Sequence, residues 1–185
     1  YVTTAGDLYA AGLNTSGRFG IGYDAPQPQP VKVATSFWQA ALGSYHLVYI
    51  TIGGEVWAAG SNGGRYGNGT ANDAMIPIRV ATGGRKVAAG LGTTLLLKAD
   101  GSLWCTGVGS EGELGLGATA QTLVFTQVTT GVRDVAAGRQ HNLFLRSDNS
   151  LWAMGSNTYG QLGDGTTVSR SVPIQVATNV REIGR

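Results

Sequence analysis

A chain of 185 residues with 42% hydrophobic and 13% charged positions is globular in composition, and its 30 glycines are too many for ordinary helices, since each interior glycine costs about 0.5–1 kcal/mol relative to alanine. The net charge of +2 comes from 13 basic and 11 acidic side chains, with only three lysines (Lys32, Lys86, Lys98) and no basic run, which argues against a nucleic-acid surface. No apolar run approaches the ~18 residues of a membrane helix, and the single Cys105 excludes an internal disulfide or a cysteine-based zinc site.

Along the chain, one block keeps returning. Asp7-Leu-Tyr-Ala-Ala-Gly12 is followed by Glu55-Val-Trp-Ala-Ala-Gly60, Ser102-Leu-Trp-Cys-Thr-Gly107 and Ser150-Leu-Trp-Ala-Met-Gly155, so that Tyr9, Trp57, Trp104 and Trp152 are spaced by 48, 47 and 48. Each copy is trailed by a glycine-rich block (Phe19–Gly22, Tyr66–Gly69, Leu114–Gly117, Leu162–Gly165) and then by Pro30–Val33, Pro77–Val80, Thr126–Val128 or Pro173–Val176. An alanine-rich block closes the unit at Trp38–Gly43, Lys86–Gly90 and Asp134–Gly138, and Arg181–Arg185 starts it again. Self-similarity at this period marks a repeat architecture.

Four strands per unit can be predicted. Asp100-Gly101 separates Leu95–Lys98 from Ser102–Gly107 as a hairpin turn, and the same slot holds Ala5-Gly6, Gly53-Gly54 and Asp148-Asn149. Glycine or asparagine at the second position is what a left-handed turn residue demands. Asn142–Arg146 alternates as a half-buried strand should. The alanine-rich and Val-x-Val segments supply two shorter strands. Four strands in 47–48 residues match one blade of a β-propeller, so the fold class is all-β, with about four tandem blades in a single domain over residues 1–185. Tyr1 enters on the hairpin half of a blade and Arg185 stops on the other half. That arrangement reads as a segment excised from a longer chain, or as half-blades that join head to tail between copies in a homo-oligomer.

These residues resemble the regulator of chromosome condensation repeat family. Val135-Ala-Ala-Gly-Arg-Gln-His141, Trp152, Gly155-Ser-Asn157, Gly160-Gln-Leu-Gly-Asp-Gly165, Pro173 and Val176 follow its pattern almost throughout. The third unit departs, with Thr93 in place of His and Gly109 in place of Asn. The resemblance implies a seven-bladed ring of which this chain would be part, and recognition of protein partners by the propeller faces. Family members include an exchange factor for a small GTPase, an activity that a shared fold does not carry across. Few lysines, abundant Thr, Gly and Asn, and family habit point to a bacterial protein that is exported or at the cell surface.

No cofactor, metal or catalytic site is expected. Gly107-Val-Gly-Ser-Glu-Gly112 spells a dinucleotide motif, but Leu114-Gly-Leu-Gly117 behind it is no helix start. His46 and His141 fall in different units without converging ligands, and read as imidazoles bonded to backbone at blade corners. Trp57, Trp104 and Trp152, with Gly60, Gly107 and Gly155, recur with the blade and read as core and framework. Binding is expected where units differ, on loops carried by a rigid scaffold. The varying zones are Ser44-Tyr45, Leu91-Gly92 and Arg139-Gln140, and the connections Tyr23–Gln29, Thr70–Ile76, Ala118–Phe125 and Thr166–Val172. Tyr23, Tyr45, Arg139, Gln140 and Arg170 are the candidate contact residues. The function expected is a non-catalytic scaffold for protein recognition.

Overall fold

A computed structural model describes residues 1–184; Arg185 lies outside the described residues. The blades follow the repeat. The outer pair of a first blade is β1 (Leu8–Gly12) and β2 (Gln27–Ala34). The second blade runs β3 (Phe37–Leu42), β4 (His46–Thr51), β5 (Val56–Gly60) and β6 (Ala74–Ala81). The third runs β7 (Gly84–Ala89), β8 (Thr93–Lys98), β9 (Leu103–Gly107) and β10 (Thr122–Thr129). The fourth runs β11 (Val132–Ala137), β12 (His141–Arg146), β13 (Leu151–Gly155) and β14 (Arg170–Ala177). Every complete blade is a four-stranded antiparallel meander in sequence order. Residues 178–184, expected to begin a further half-blade, form no strand, although Val180 N–H donates to Asn149 O at 2.9 Å as Val132 N–H does to Gly101 O at 3.0 Å. No α-helix occurs among the described residues, and none of their helices is long and apolar enough to cross a membrane.

The hairpin turns form as their chemistry requires. Gly101 takes φ +81° and Asn149 φ +65°, conformations in which a branched side chain is strained. Asp100 Oδ1 accepts Ser102 N–H at 2.9 Å and the Ser102 hydroxyl at 2.6 Å, and Ser102 Oγ in turn accepts Trp104 Nε1–H at 2.8 Å. Asp148, Ser150 and Trp152 repeat this chain, while Glu55 reaches Trp57 Nε1 directly at 3.3 Å. The tryptophans are therefore oriented by the turn. They pack against the core clusters as half-buried residues, with the Lys98 ammonium 4.3 Å from the Trp104 centroid and the Arg146 guanidinium 4.5 Å from that of Trp152. Gly101→Val should cost about 1–3 kcal/mol through backbone strain and Gly101→Asn far less, because Asn149 already tolerates the same slot. Thermal melting of the two variants reads the difference; equal midpoints would count against turn strain as the cause.

The core is a set of seams between blades. β4 and β8 are buried along nearly their whole length, because each lies inside a blade that is covered by neighbours on both faces. Leu95, Leu97 and Cys105 of one blade meet Val132, Val135, Phe144 and Met154 of the next, and Val48, Ile50 and Val56 meet Val87 and Leu96 in the preceding seam. Cys105 is fully buried, as a small filler, and burial pushes its thiol up to about 12. The fourth strands are longer than the short Val-x-Val segments expected. They are eight residues each and begin upstream of the proline, or of Thr126 in the third repeat, so that residues 27–29, 74–76, 122–125 and 170–172 are strand and not connection.

Candidate protein-interaction face

Antiparallel order sends the loop after each first strand and the loop after each third strand to the same end of the blade. The pairings His46 with Gly60 and Gly60 with Ala74, and His141 with Gly155 and Gly155 with Arg170, fix that end. All five sequence-nominated residues therefore lie on one face. The first-strand loops are also joined into a continuous inner rim. Ser44 N–H donates to Gly90 O at 3.3 Å, and Leu91 N–H donates to Arg139 O at 3.1 Å. Each loop is tied back to its own blade by Ser61 N–H to Tyr45 O at 2.9 Å, Val108 N–H to Gly92 O at 2.9 Å and Ser156 N–H to Gln140 O at 2.8 Å.

The Val-Ala-x-Gly-x-x-His block builds this rim by close approach. A Cβ on Gly43 would stand 2.7 Å from Gly90 O and 2.8 Å from His46 Nδ1. The His141 ring lies over Gly138 in the same way. His46 is completely buried, and its Nε2 sits 2.7 Å from Thr94 Oγ1 of the adjacent blade. The Thr94 hydroxyl proton is given to Arg65 O at 2.7 Å, so Thr94 Oγ1 accepts from Nε2–H and the neutral His46 carries its proton there. Its Nδ1 has no partner. Burial, followed by the nearby Arg65 charge, pulls the His46 pKa down to about 3. The expected bond from histidine to backbone at a blade corner is replaced by this side-chain bridge between blades, and His141, half-buried, has its pKa lowered by burial.

The long loops are held by an asparagine whose role the motif alone did not reveal. Asn14, Asn62 and Asn157 are fully buried, and their Oδ1 atoms accept the amide of Phe19 at 2.8 Å, Tyr66 at 3.0 Å and Leu162 at 2.9 Å. Their Nδ2 groups donate across the loop to Tyr23 O, Thr70 O and Thr166 O. In the third repeat Gly109 stands there because a side chain has no room: its Cβ would lie 2.6 Å from Ala120 O. Glu113 in that loop is almost wholly buried and accepts Glu111 N–H at 2.8 Å, as Gln161 accepts Tyr159 N–H in the fourth repeat, and burial raises the Glu113 pKa.

On this frame Tyr45 is half-exposed with the Arg65 guanidinium 5.1 Å from its ring centroid. Arg139 is exposed, and its side chain has no hydrogen-bond or ion-pair partner among the described residues. Gln140 is partly covered beside it. Tyr23 sits further out on the first repeat, its hydroxyl 3.4 Å from Gln27 Oε1. Arg170 is tied inside its own loop. Its Nε and Nη2 both reach Asp164 Oδ2, at 2.9 and 2.6 Å, and that fork, with the Thr166 hydroxyl, holds the Asp164 carboxyl well below the usual carboxylate range. Two contributors were not legible in the repeat: Arg65, hidden in a column shared with Arg18, Glu113 and Gln161, and Tyr159, which is 91% exposed in the fourth-blade loop. No group of three or more His, Cys, Asp or Glu able to hold a metal occurs among the described residues, and β9 is followed by turns and not by a nucleotide-binding helix.

Tandem four-stranded meanders packed first strand against first strand, with a rim of blade-tethered loops at one end, define a β-propeller segment of the interaction-scaffold type. The regulator of chromosome condensation (RCC1) repeat pattern matches residues 5–50, 100–145 and 148–183, and a second pattern of the same description matches 85–113 and 132–161. The chain belongs to the RCC1 repeat family. Among curated proteins no sequence match is found. Human WBSCR16 superposes with a TM-score of 0.85 at 20% identity over 96% of this chain and 50% of its own. Prp20p from Saccharomyces cerevisiae, described with its binding properties to Gsp1p and histones, gives 0.84 at 18% identity over 96% and 48%. A structure of Kap60 bound to yeast RCC1 (Prp20) gives 0.77 at 17% identity over 97% and 50%. The chain thus spans about half the length of these structures.

Proposed function

We propose that this propeller segment is a non-catalytic scaffold that binds a protein partner through the loop rim, with Tyr45 and Arg139 as its anchors. The observation that carries the reading is the combination of an exposed aromatic ring and an unpaired guanidinium on loops that are already hydrogen-bonded within and between blades. Anchors of these residue types contribute most when they are pre-organised, since little side-chain and loop entropy is then lost on binding. Support for a protein partner comes from the yeast propeller described with Gsp1p, histones and Kap60. Two of the groups that could act as nucleophile or base, the Cys105 thiol and the His46 imidazole, are buried and held neutral.

A photo-cross-linking residue placed at Tyr45 or Arg139 should capture a protein from cells of the source organism, and the same residue at exposed Gln127 on the outer strand should not. Tyr45→Ala and Arg139→Ala should each weaken binding of the captured protein by more than about 1 kcal/mol while leaving the melting midpoint nearly unchanged. Labelling from Gln127 alone, or full affinity in both variants, would refute the assignment of the rim.

A further inference from the structure

At the opposite end of the blades another position repeats. The second residue of β3, β7 and β11 is Trp38, Arg85 and Arg133, and the register continues at Arg181, with steps of 47, 48 and 48. Because the first strands pack on one another, these side chains follow one another along the inner wall near its base. Trp38 links its blade to the next, and Arg133 ties its blade to the segment that follows β14. Trp38 Nε1–H donates to Arg85 O at 3.2 Å, and Arg133 Nη2–H donates to Arg181 O at 2.8 Å, Val180 O at 3.0 Å and Asn149 Oδ1 at 2.9 Å.

Arg85 does not do this. Its side chain is exposed and makes no hydrogen bond or ion pair among the described residues. Of the charges around it, Lys86 pairs with Asp134 and Arg181 with Glu182, while Arg133 bonds neutral oxygens and has no carboxylate partner among the described residues. Arg85 and Trp38 wall a groove of about 350 Å³ completed by Gln39, Lys86, Arg133 and Asp134. Trp38 is 64% exposed there, and a second depression continues past it to Ile52, which is 71% exposed. The groove thus sets a guanidinium fork that has no partner among the described residues beside a largely exposed indole face.

We propose that this basal groove is a second interaction site, distinct from the loop rim, that takes an acidic segment of a protein partner. An Asp or Glu carboxylate would be held by the Arg85 fork, whose planar donors match it bidentately, and an adjacent apolar or aromatic residue would rest on Trp38 and Ile52. A nucleic-acid backbone fits less well. A run of phosphates needs several free cations, and in this groove Lys86 is paired with Asp134 and Arg133 Nη2 is spent on Asn149 Oδ1 and two carbonyls, with the Asp134 carboxylate in the wall and that of Glu182 beside Arg181.

The probe is a fluorescein-labelled Glu-Asp-Phe-Glu-Asp peptide, compared with its Gln-Asn-Phe-Gln-Asn counterpart and with a labelled DNA duplex. The acidic peptide should bind and weaken as salt rises from about 50 to 200 mM, and the neutral one should not bind measurably. Arg85→Gln should reduce affinity about tenfold or more, Arg85→Lys less, and Trp38→Ala several-fold, while Arg139→Ala on the rim leaves it unchanged. Because Arg85 makes no internal bond, Arg85→Gln should melt like the parent protein. Equal affinity for the neutral peptide, an unaltered Arg85→Gln, or no binding at about 1 mM peptide overturns the proposal. Tighter, Arg85-dependent binding of the duplex overturns its choice of partner. Since Arg139→Ala reports on the rim alone, failure here leaves the rim assignment to its own test.

Discussion

Asn157→Ala should lower the stability of the protein by about 2–4 kcal/mol, the penalty of an orphaned buried donor plus the bonds lost with it. Asn157 Oδ1 is the acceptor for the buried Leu162 N–H, and Nδ2 donates at 2.9 Å to both Asp164 Oδ1 and Thr166 O. Alanine leaves the amide facing an apolar methyl and frees the loop from 158 to 166. Asn157→Asp keeps the acceptor but turns a carboxylate toward Asp164, so it should rescue little above pH 5. Urea titration reads the loss, and hydrogen exchange should show it first at Leu162. Gly109→Asn, which adds the family residue to the third repeat, should destabilise as well, because its Cβ has no room against Ala120 O. An Asn157→Ala protein with a parental midpoint would mean that this loop is held by other contacts.

Acid should unfold the protein through His46. The folded imidazole stays neutral down to about pH 3, whereas the unfolded one titrates near its ordinary value of 6.5. Between those values the unfolded chain binds the extra proton, so stability rises with pH across that window and is lost as pH falls through it. The slope from one such group is about 1 kcal/mol per pH unit, and several kcal/mol accumulate by pH 3. The geometry explains the direction. Nε2–H is spent on Thr94 Oγ1, and a second proton would sit on Nδ1, which lies against Gly43 and has no acceptor. His141 adds to the effect with the same sign, while Glu113, raised by burial, opposes it, because its neutral form is the one the fold prefers. The clean measurement is therefore the difference between the parent protein and His46→Gln, by urea unfolding at pH 7, 6, 5 and 4. The gap between the two should narrow or reverse with acid. Parallel curves, or a His46 ring that titrates above pH 5 by NMR, would defeat the explanation.

The blade and its turns were legible in the sequence because their causes are local. Gly101 and Asn149 announce a turn by what their own backbone can adopt, and a period of 47 or 48 makes each instance a check on the others. The all-β class, the four strands per blade and the buried Cys105 follow from this. The candidate face was legible in part. Variation between repeats led to Tyr45 and Arg139 on the rim, but it also led to Arg170, which Asp164 holds, and it passed over Tyr159 and Arg65.

Which of the long polar side chains bridge blades and which stay free was decided by tertiary structure. Arg85, Arg133 and Arg181 share one place in the repeat, yet Arg133 ties its blade to the segment after β14, Arg181 pairs with its neighbour and Arg85 has no side-chain partner among the described residues. The tryptophans recur as core residues do and pack against the clusters, yet each stays partly exposed. His46 bonds Thr94, 48 residues away, and its neutral state belongs to that seam. Periodicity reports the constraints that every blade meets within itself. The partner of a long polar side chain depends on distances between residues far apart in the chain, which exist only once the blades have packed.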